Sequence, residues 1–361
     1  MHERNEDQSL VTYAEAIKEA FDLALERDPS VIIVGEGVPD PKSIFGSTKG
    51  LKEKYGNSRV FDMPLSENGM TGICIGAALN GLSPVLIHQR IDFALLSLDQ
   101  IINNAAKWQY MFNGAQNVKI VIRMIIGRGW GQGPQHSQSL QSIFAQIPGL
   151  KVIMPSTPKD AKGMMLSSIK DKNPVIFIEH RWLHNVTDKI SKEYYEIPID
   201  KANIIKEGKD VTVVGMSLST LEALEAAKHV KADYKIDAEI IDLRSIRPID
   251  YETIFQSLRK TGRLIVVDTG YKSFGIGSEI VSTCMINCFE YIKSPPEIIG
   301  LPDYPCPTAE SLAENYYPSE IEISKAIFKS VGKSNINNAF YEKIKKKNQH
   351  DIPYVGYKGP F

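Results

Sequence analysis

Two α/β domains, each built on a mainly parallel sheet, are what this sequence predicts, and three observations carry the prediction. Continuous apolar runs of strand length, such as Val31-Ile32-Ile33-Val34, Pro84-Val85-Leu86-Ile87 and Pro174-Val175-Ile176-Phe177-Ile178, mark strands covered on both faces. Helical periodicity fills the gaps between them, so strand and helix alternate as crossover connections require. After a polar and aromatic stretch the alternation restarts at Asp210-Val211-Thr212-Val213-Val214-Gly215, and 361 residues suffice for two cores. The expected architecture is α/β with two doubly wound domains: a larger one over 9–190, a linker over 191–208, a smaller one over 209–331 and a C-terminal tail over 332–361.

The elements follow from local signals. Thr12-Tyr13-Ala14-Glu15 has capping-box form and opens an apolar periodicity, Ile17, Phe21, Ala24 and Leu25, that stops at Asp28-Pro29. The strand beginning at Val31 ends in Gly35-Glu36, and a loop rich in Pro, Gly and Ser runs from there to about Gly50. The stretch Phe61-Asp62-Met63-Pro64-Leu65-Ser66-Glu67-Asn68-Gly69-Met70 closes another strand and sets Glu67 at the mouth of a helix of small residues, among them Gly72, Gly76, Ala77 and Ala78. A carboxylate there gains from the helix dipole, so the plain reading of Glu67 is a cap residue.

The strand at 84–88 leads into His88-Gln89-Arg90-Ile91-Asp92 and Phe93, after which Leu95, Leu98, Ile101, Ile102, Ala105 and Ala106 give a helical stripe. Val118-Lys119-Ile120-Val121-Ile122-Arg123 is the next strand. Strand 151–155, helix 157–170 and strand 174–179 complete the first domain. In the second, helices at 218–230, 251–259 and 276–287 alternate with strands at 238–243 and 264–267.

Composition excludes several function classes. A formal net charge of −1 offers no field for nucleic acid or an anionic membrane, and the run Lys343-Ile344-Lys345-Lys346-Lys347 reads as a solvated tail. The first eight residues are polar and acidic, unlike a signal or transit peptide, which predicts a cytoplasmic protein. No apolar stretch reaches membrane-spanning length. Cys74, Cys284, Cys288 and Cys306 lack metal-ligand spacing with histidines and read as buried thiols.

Chemistry in open parallel sheets gathers at the carboxyl ends of strands, which selects Glu36 and Glu67. The segment Gly127-Arg128-Gly129-Trp130-Gly131-Gln132-Gly133-Pro134-Gln135-His136-Ser137-Gln138 holds four glycines before a histidine and resembles no core element. A loop of this kind either binds a group against its backbone or merely connects, and the polar set around His136 favours binding. It is no Walker A loop, for Gly-Lys-Ser/Thr is absent.

Several ordered segments carry a family resemblance: Ser66-Glu67-Asn68-Gly69, Asp99-Gln100-Ile101-Ile102-Asn103-Asn104-Ala105-Ala106-Lys107, Gln135-His136-Ser137-Gln138, Ile147-Pro148-Gly149-Leu150-Lys151-Val152 and, further on, Ile241-Asp242-Leu243-Arg244 with Arg247-Pro248. From about 13 to 328 the chain resembles the β subunits of the thiamine-diphosphate-dependent decarboxylating component of 2-oxoacid dehydrogenases, of the pyruvate and branched-chain type, within the transketolase superfamily. The resemblance implies a larger pyrimidine-binding domain and a smaller transketolase C-terminal-like domain. It gives Glu67 the role of hydrogen-bonding the aminopyrimidine ring nitrogen, favouring the tautomer that takes up the thiazolium proton. Phe93 matches the ring packed on the aminopyrimidine, Glu36 a second carboxylate near it, and Leu65 belongs to the same cofactor-binding set. His136 matches the active-site histidine that orients substrate or exchanges protons. Ile120, Ser168, Ile169, Asp171 and Asn173 match the positions that hold a structural potassium ion.

No Gly-Asp-Gly occurs in the chain, so the superfamily's segment for the diphosphate and its Mg2+ is missing here. The resemblance therefore implies an α subunit that supplies it, a heterotetramer of two α and two β chains, a small 2-oxo acid as substrate and a lipoyl acyltransferase core as acceptor. Departures at His88-Gln89-Arg90-Ile91-Asp92 and at Trp130 bear on the substrate pocket, although Trp130 can equally pack at an interface. Two other readings stand beside this one: a carboligase or transketolase-like enzyme with the same cofactor and a different acceptor, and a non-catalytic scaffold. The presence of Glu67 and His136 speaks against the scaffold.

Overall fold

The computed structural model describes residues 8–40, 42–127, 132–313 and 316–345. Trp130 and Lys346-Lys347 lie outside the described residues. The chain divides into two compact units, the first made of Met1–Ile126 and Ile143–Ile199, the second of Gly127–Ser142 and Asp200–Phe361.

In the first unit the apolar runs become parallel strands in the order Lys151–Ile153, Val175–His180, Val121–Ile126, Ser83–His88, Val31–Gly35, Val60–Phe61. Four of these strands are buried along their whole length, which is why their sequences show no polar alternation. The helix Tyr13–Arg27 starts with the capping box of Thr12 and Glu15 and packs on the helix Pro158–Lys170. The expected helix at 95–106 is instead a broken coil: α-helix Ile91–Ala94, a 3-10 turn Leu95–Ser97 and a π-turn Gln100–Ala105. An antiparallel pair, Gln8–Thr12 with Thr187–Ser191, had no sequence signal because only one residue of each strand is buried.

One strand departs from its expected end. Arg123 looked like the charged terminus of an apolar run, yet it lies inside Val121–Ile126 with its side chain fully buried. Neighbouring registers pair Arg123 with Phe177 and Ile125 with Glu179, so the guanidinium meets the equally buried Glu179 carboxylate diagonally across the two strands. Burial alone would raise the Glu179 carboxyl, but the charge of Arg123, and then the interaction with the adjacent His184 imidazole, hold it below its ordinary value. His184 Nε2 lies 3.3 Å from the same carboxylate oxygen.

The second unit has five strands in the order Glu297–Leu301, Leu264–Tyr271, Val211–Gly215, Ala238–Asp242, Asn203–Lys206, the last antiparallel to its neighbour. Two corrections to the sequence reading arise here. The segment 203–206, assigned to a linker, adds an edge strand by backbone pairing that needs no apolar pattern. The supposed tail contains the helix Asn338–Lys345, whose Phe340 and Ile344, one turn apart, are buried in the same core as Val213, Ile240, Ile265 and Phe328. The lysines of that helix sit on its other side, and they hid the apolar stripe.

Candidate functional site

The first unit gathers three carboxylates where strands end and a helix begins. Glu36 follows Val31–Gly35 directly, and Glu67 is the first residue of the helix Glu67–Leu79. The peptide unit between Glu36 and Gly37 is held at both ends: Gln89 Nε2 donates to the Glu36 carbonyl at 2.9 Å, and the Gly37 N–H donates to Asp62 Oδ1 at 3.0 Å. Asp62 Oδ1 also accepts the Met63 N–H at 2.9 Å. Burial, and then the negative charges of Glu67 and Asp62, hold the Glu36 carboxyl above its ordinary value. Glu36 therefore senses both neighbouring acids.

Two observations separate a binding role from a structural one. Glu36 Oε1 is buried and has no hydrogen-bond partner among the described residues, a state that a ligand donor relieves. The Glu67 carboxylate makes no hydrogen bond or ion pair among them either, and the helix start it occupies has no side-chain cap bond. A capping carboxylate would be bonded to the first-turn N–H groups; only the Glu67 carbonyl is engaged, by the Thr71 hydroxyl at 2.7 Å. Leu65 is 85% exposed. Phe93 is half-buried in Ile91–Ala94, the turn that follows Ser83–His88.

The stretch His88 to Asp92 was expected to bear on substrate choice. Gln89 is spent on the Glu36 backbone, and the buried Arg90 guanidinium lies 6.0 Å from the centre of the Phe45 ring, which Arg181 approaches to 4.2 Å. His88 is buried and neutral: loss of solvent pushes its imidazole down to about 4 from 6.5. His184 is pushed to about 4 by the same cause against the opposing pull of Glu179.

His136 belongs to the second unit, because the loop 132–142 is seated there. The imidazole is exposed and its N–H backbone group donates to the Gly133 carbonyl at 3.4 Å. The five potassium candidates collect where Pro158–Lys170 ends and two strands start. There the Ile120 carbonyl accepts the Val175 N–H at 2.9 Å, and Asp171 Oδ1 accepts both the N–H and the side-chain amide of Asn173 at 2.8 and 2.9 Å. Ser168 spends its hydroxyl on the Met164 carbonyl at 2.6 Å, and Ile169 is buried in the last turn of that helix. The ammonium of Lys151 pairs with the Asp171 carboxylate, so its charge is already balanced. No group of three or more His, Cys, Asp or Glu among the described residues is placed to hold a metal ion, and no helix among them is long and apolar enough to cross a membrane.

Comparison with known proteins identifies the domains that carry these residues. The model of the transketolase pyrimidine-binding domain matches residues 9–186, and that of the transketolase C-terminal domain matches 200–323. The pyruvate dehydrogenase E1 component subunit beta of Rickettsia bellii is 39% identical over 319 residues, covering 88% of this chain and 98% of that one. The chain belongs to the E1 β-subunit family. The mitochondrial E1 β subunit of Chaetomium thermophilum is 40% identical over 86% of this chain and 82% of its own. The β subunit of the Cupriavidus necator acetoin:2,6-dichlorophenolindophenol oxidoreductase is 41% identical over 88% of this chain and 96% of its own. A solved structure described as a split-gene transketolase, an inactive β4 tetramer, shares the fold with a TM-score of 0.72 at 20% identity, over 90% of this chain and 99% of that one.

In this E1 β-type chain, sequence reasoning missed Asp62 and Gln89 as the residues that hold the peptide unit between Glu36 and Gly37. Asp62 stood inside the quoted Glu67 stretch, whereas nothing in the sequence pairs position 89 with 36. The neutral histidines predict acid sensitivity. The unfolded chain takes up protons at His88 and His184 near 6.5 and the folded chain only near 4, so stability is complete above about 6.5 and falls as pH drops toward 4. His88→Phe is expected to flatten the melting temperature's decline across that window, and an unaltered slope would exclude His88 as a source.

Proposed function

We propose that this chain is the β subunit of a thiamine-diphosphate-dependent 2-oxoacid dehydrogenase component, acting with an α subunit to decarboxylate a 2-oxo acid, pyruvate first among candidates, and pass the acyl group to a lipoyl acceptor. The observation that supports it most is the pair Glu36 and Glu67, adjacent carboxylates with unengaged oxygens on a family scaffold whose relatives carry the E1 β name. Thiamine diphosphate supplies the electron sink for decarboxylation. In this reading Glu67 holds a proton at the aminopyrimidine ring nitrogen, Glu36 takes up a donor of the same ring end, and Phe93 and Leu65 pack against it. His136 orients the substrate or moves a proton at its carbonyl oxygen.

The diphosphate and Mg2+ fall to the α subunit, because this chain lacks Gly-Asp-Gly. A heterotetramer of two α and two β chains follows. A potassium ion at Ile120, Ser168, Ile169, Asp171 and Asn173 is part of the same proposal, and with Lys151 on Asp171 it would rely on neutral oxygens.

The test is to purify the chain with the α-type subunit encoded beside it and assay lipoyl-dependent turnover on a panel containing pyruvate, branched 2-oxo acids and acetoin. The acetoin arm is included because the Cupriavidus relative is as similar as the pyruvate ones. Turnover of a 2-oxo acid with lipoyl acceptor supports the reading; turnover only with another acceptor moves it to the carboligase class. Exchanging potassium for sodium in that assay tests the cation. Calorimetry of the isolated chain is expected to show weak binding of thiamine diphosphate even with Mg2+, and tight binding by this chain alone would overturn the division between subunits.

A further inference from the structure

The loop that carries His136 is seated on a buried polar joint within the second unit. From Ser137 to Gln141 burial alternates, with Ser137, Ser139 and Gln141 buried and Gln138 and Leu140 only partly so, while His136 emerges at the exposed end. At the seated end the amide of Gln141 donates from Nε2 to Asp268 Oδ1 at 2.6 Å and lies 3.4 Å from the Thr269 hydroxyl. Asp268 stands in the strand Leu264–Tyr271, nearly fully buried, and its Oδ1 also accepts the Gly270 N–H at 2.9 Å.

The joint depends on space as well as polarity. A Cβ on Gly270 would stand 2.6 Å from Gln141 Nε2 and 3.3 Å from the Ser139 carbonyl oxygen, so a larger residue here would displace the Gln141 amide from its place. At the loop's other end Gly133, with φ +66°, passes so near Thr308 that a Cβ would meet its hydroxyl at 2.4 Å. An apolar anchor would fix a surface loop without desolvating a carboxylate and an amide. A carboxylate hydrogen bond has direction, however, and sets the register of the five residues that end at His136.

We propose that Gln141 and Asp268 are positioning residues for His136, their buried hydrogen bond fixing where the loop delivers the imidazole. This rests on the proposed role of His136 and adds the device that places it. Neither residue touches the reacting atoms. Their effect passes through His136 alone.

The experiment uses the assembled α–β protein with Gln141→Leu, His136→Ala and the double variant. Gln141→Leu is expected to lower kcat about tenfold with a smaller change in KM, since a misplaced group costs the chemical step more than binding. Amide hydrogen exchange over 136–140 is expected to rise in the same variant, a readout independent of turnover. In the His136→Ala background the second substitution is expected to cost nothing more, because the effects share one route. Asp268→Asn keeps an acceptor oxygen and is expected to fall between wild type and Gln141→Leu.

If His136→Ala turns over as wild type does, the role of His136 is wrong and the proposal goes with it. If His136→Ala is crippled while Gln141→Leu is unaffected, or if the two losses simply multiply, the positioning role alone is overturned. Should Gln141→Leu fail to assemble, Gln141→Met removes the same donor at closer volume and decides between these outcomes.

Discussion

Glu67→Gln in the assembled α–β protein is expected to lower turnover by roughly a hundred- to ten-thousandfold, the range over which a positioned proton-transfer group acts. The substitution keeps the shape of the side chain and removes its ability to share a proton with a ring nitrogen. Folding should be nearly indifferent, because the carboxylate has no hydrogen-bond partner among the described residues to lose. It should even relax one strain, since Glu67 is among the charges that hold the Glu36 carboxyl above its ordinary value. Turnover and the thermal midpoint measured on one preparation separate the two consequences. Unchanged turnover in Glu67→Gln would return Glu67 to a structural role and remove the central support of the proposed function.

The largest stability effect is expected at the opposite kind of charge, one that is buried against a partner of opposite sign. Arg123→Met leaves the Glu179 carboxylate buried and without its cation, and removing one partner of such a pair costs about 3–5 kcal/mol. His184, 3.3 Å from Glu179, can take up a proton in its place, so the loss should shrink as pH falls. Urea unfolding of wild type, Arg123→Met and Arg123→Met with Glu179→Leu reads this directly. The double variant should recover much of the loss, because replacing both charges leaves no orphan in the core. A small effect in the single variant, or no recovery in the double, would mean that water reaches the pair.

The two sheets were legible because strands buried on both faces are mostly apolar over five or six residues and lack the polar alternation of a half-exposed strand, and helical periodicity fills the gaps between them. Glu36 and Glu67 were placed for a related reason: one follows a buried strand and the other opens a helix, where a polar residue interrupts the apolar pattern. The edge strand Asn203–Lys206 and the helix Asn338–Lys345 were not legible, the first held by backbone pairing and the second by two apolar residues among lysines. The loop of His136 was placed with the first domain on chain order, yet Gln141 reaches a partner 127 residues away.

By itself the sequence determined the buried strands, the long helices between them and the carboxylates that stand at their ends, because burial and capping act over a few residues and leave a local pattern. Only the tertiary structure decided what each polar side chain answers to: Gln89 and Asp62 on the peptide unit after Glu36, Glu179 on Arg123, Asp268 on Gln141. A hydrogen bond or ion pair needs two groups within about 3 Å of each other. For partners far apart in the chain that proximity is a property of the fold, and no spacing along the sequence encodes it.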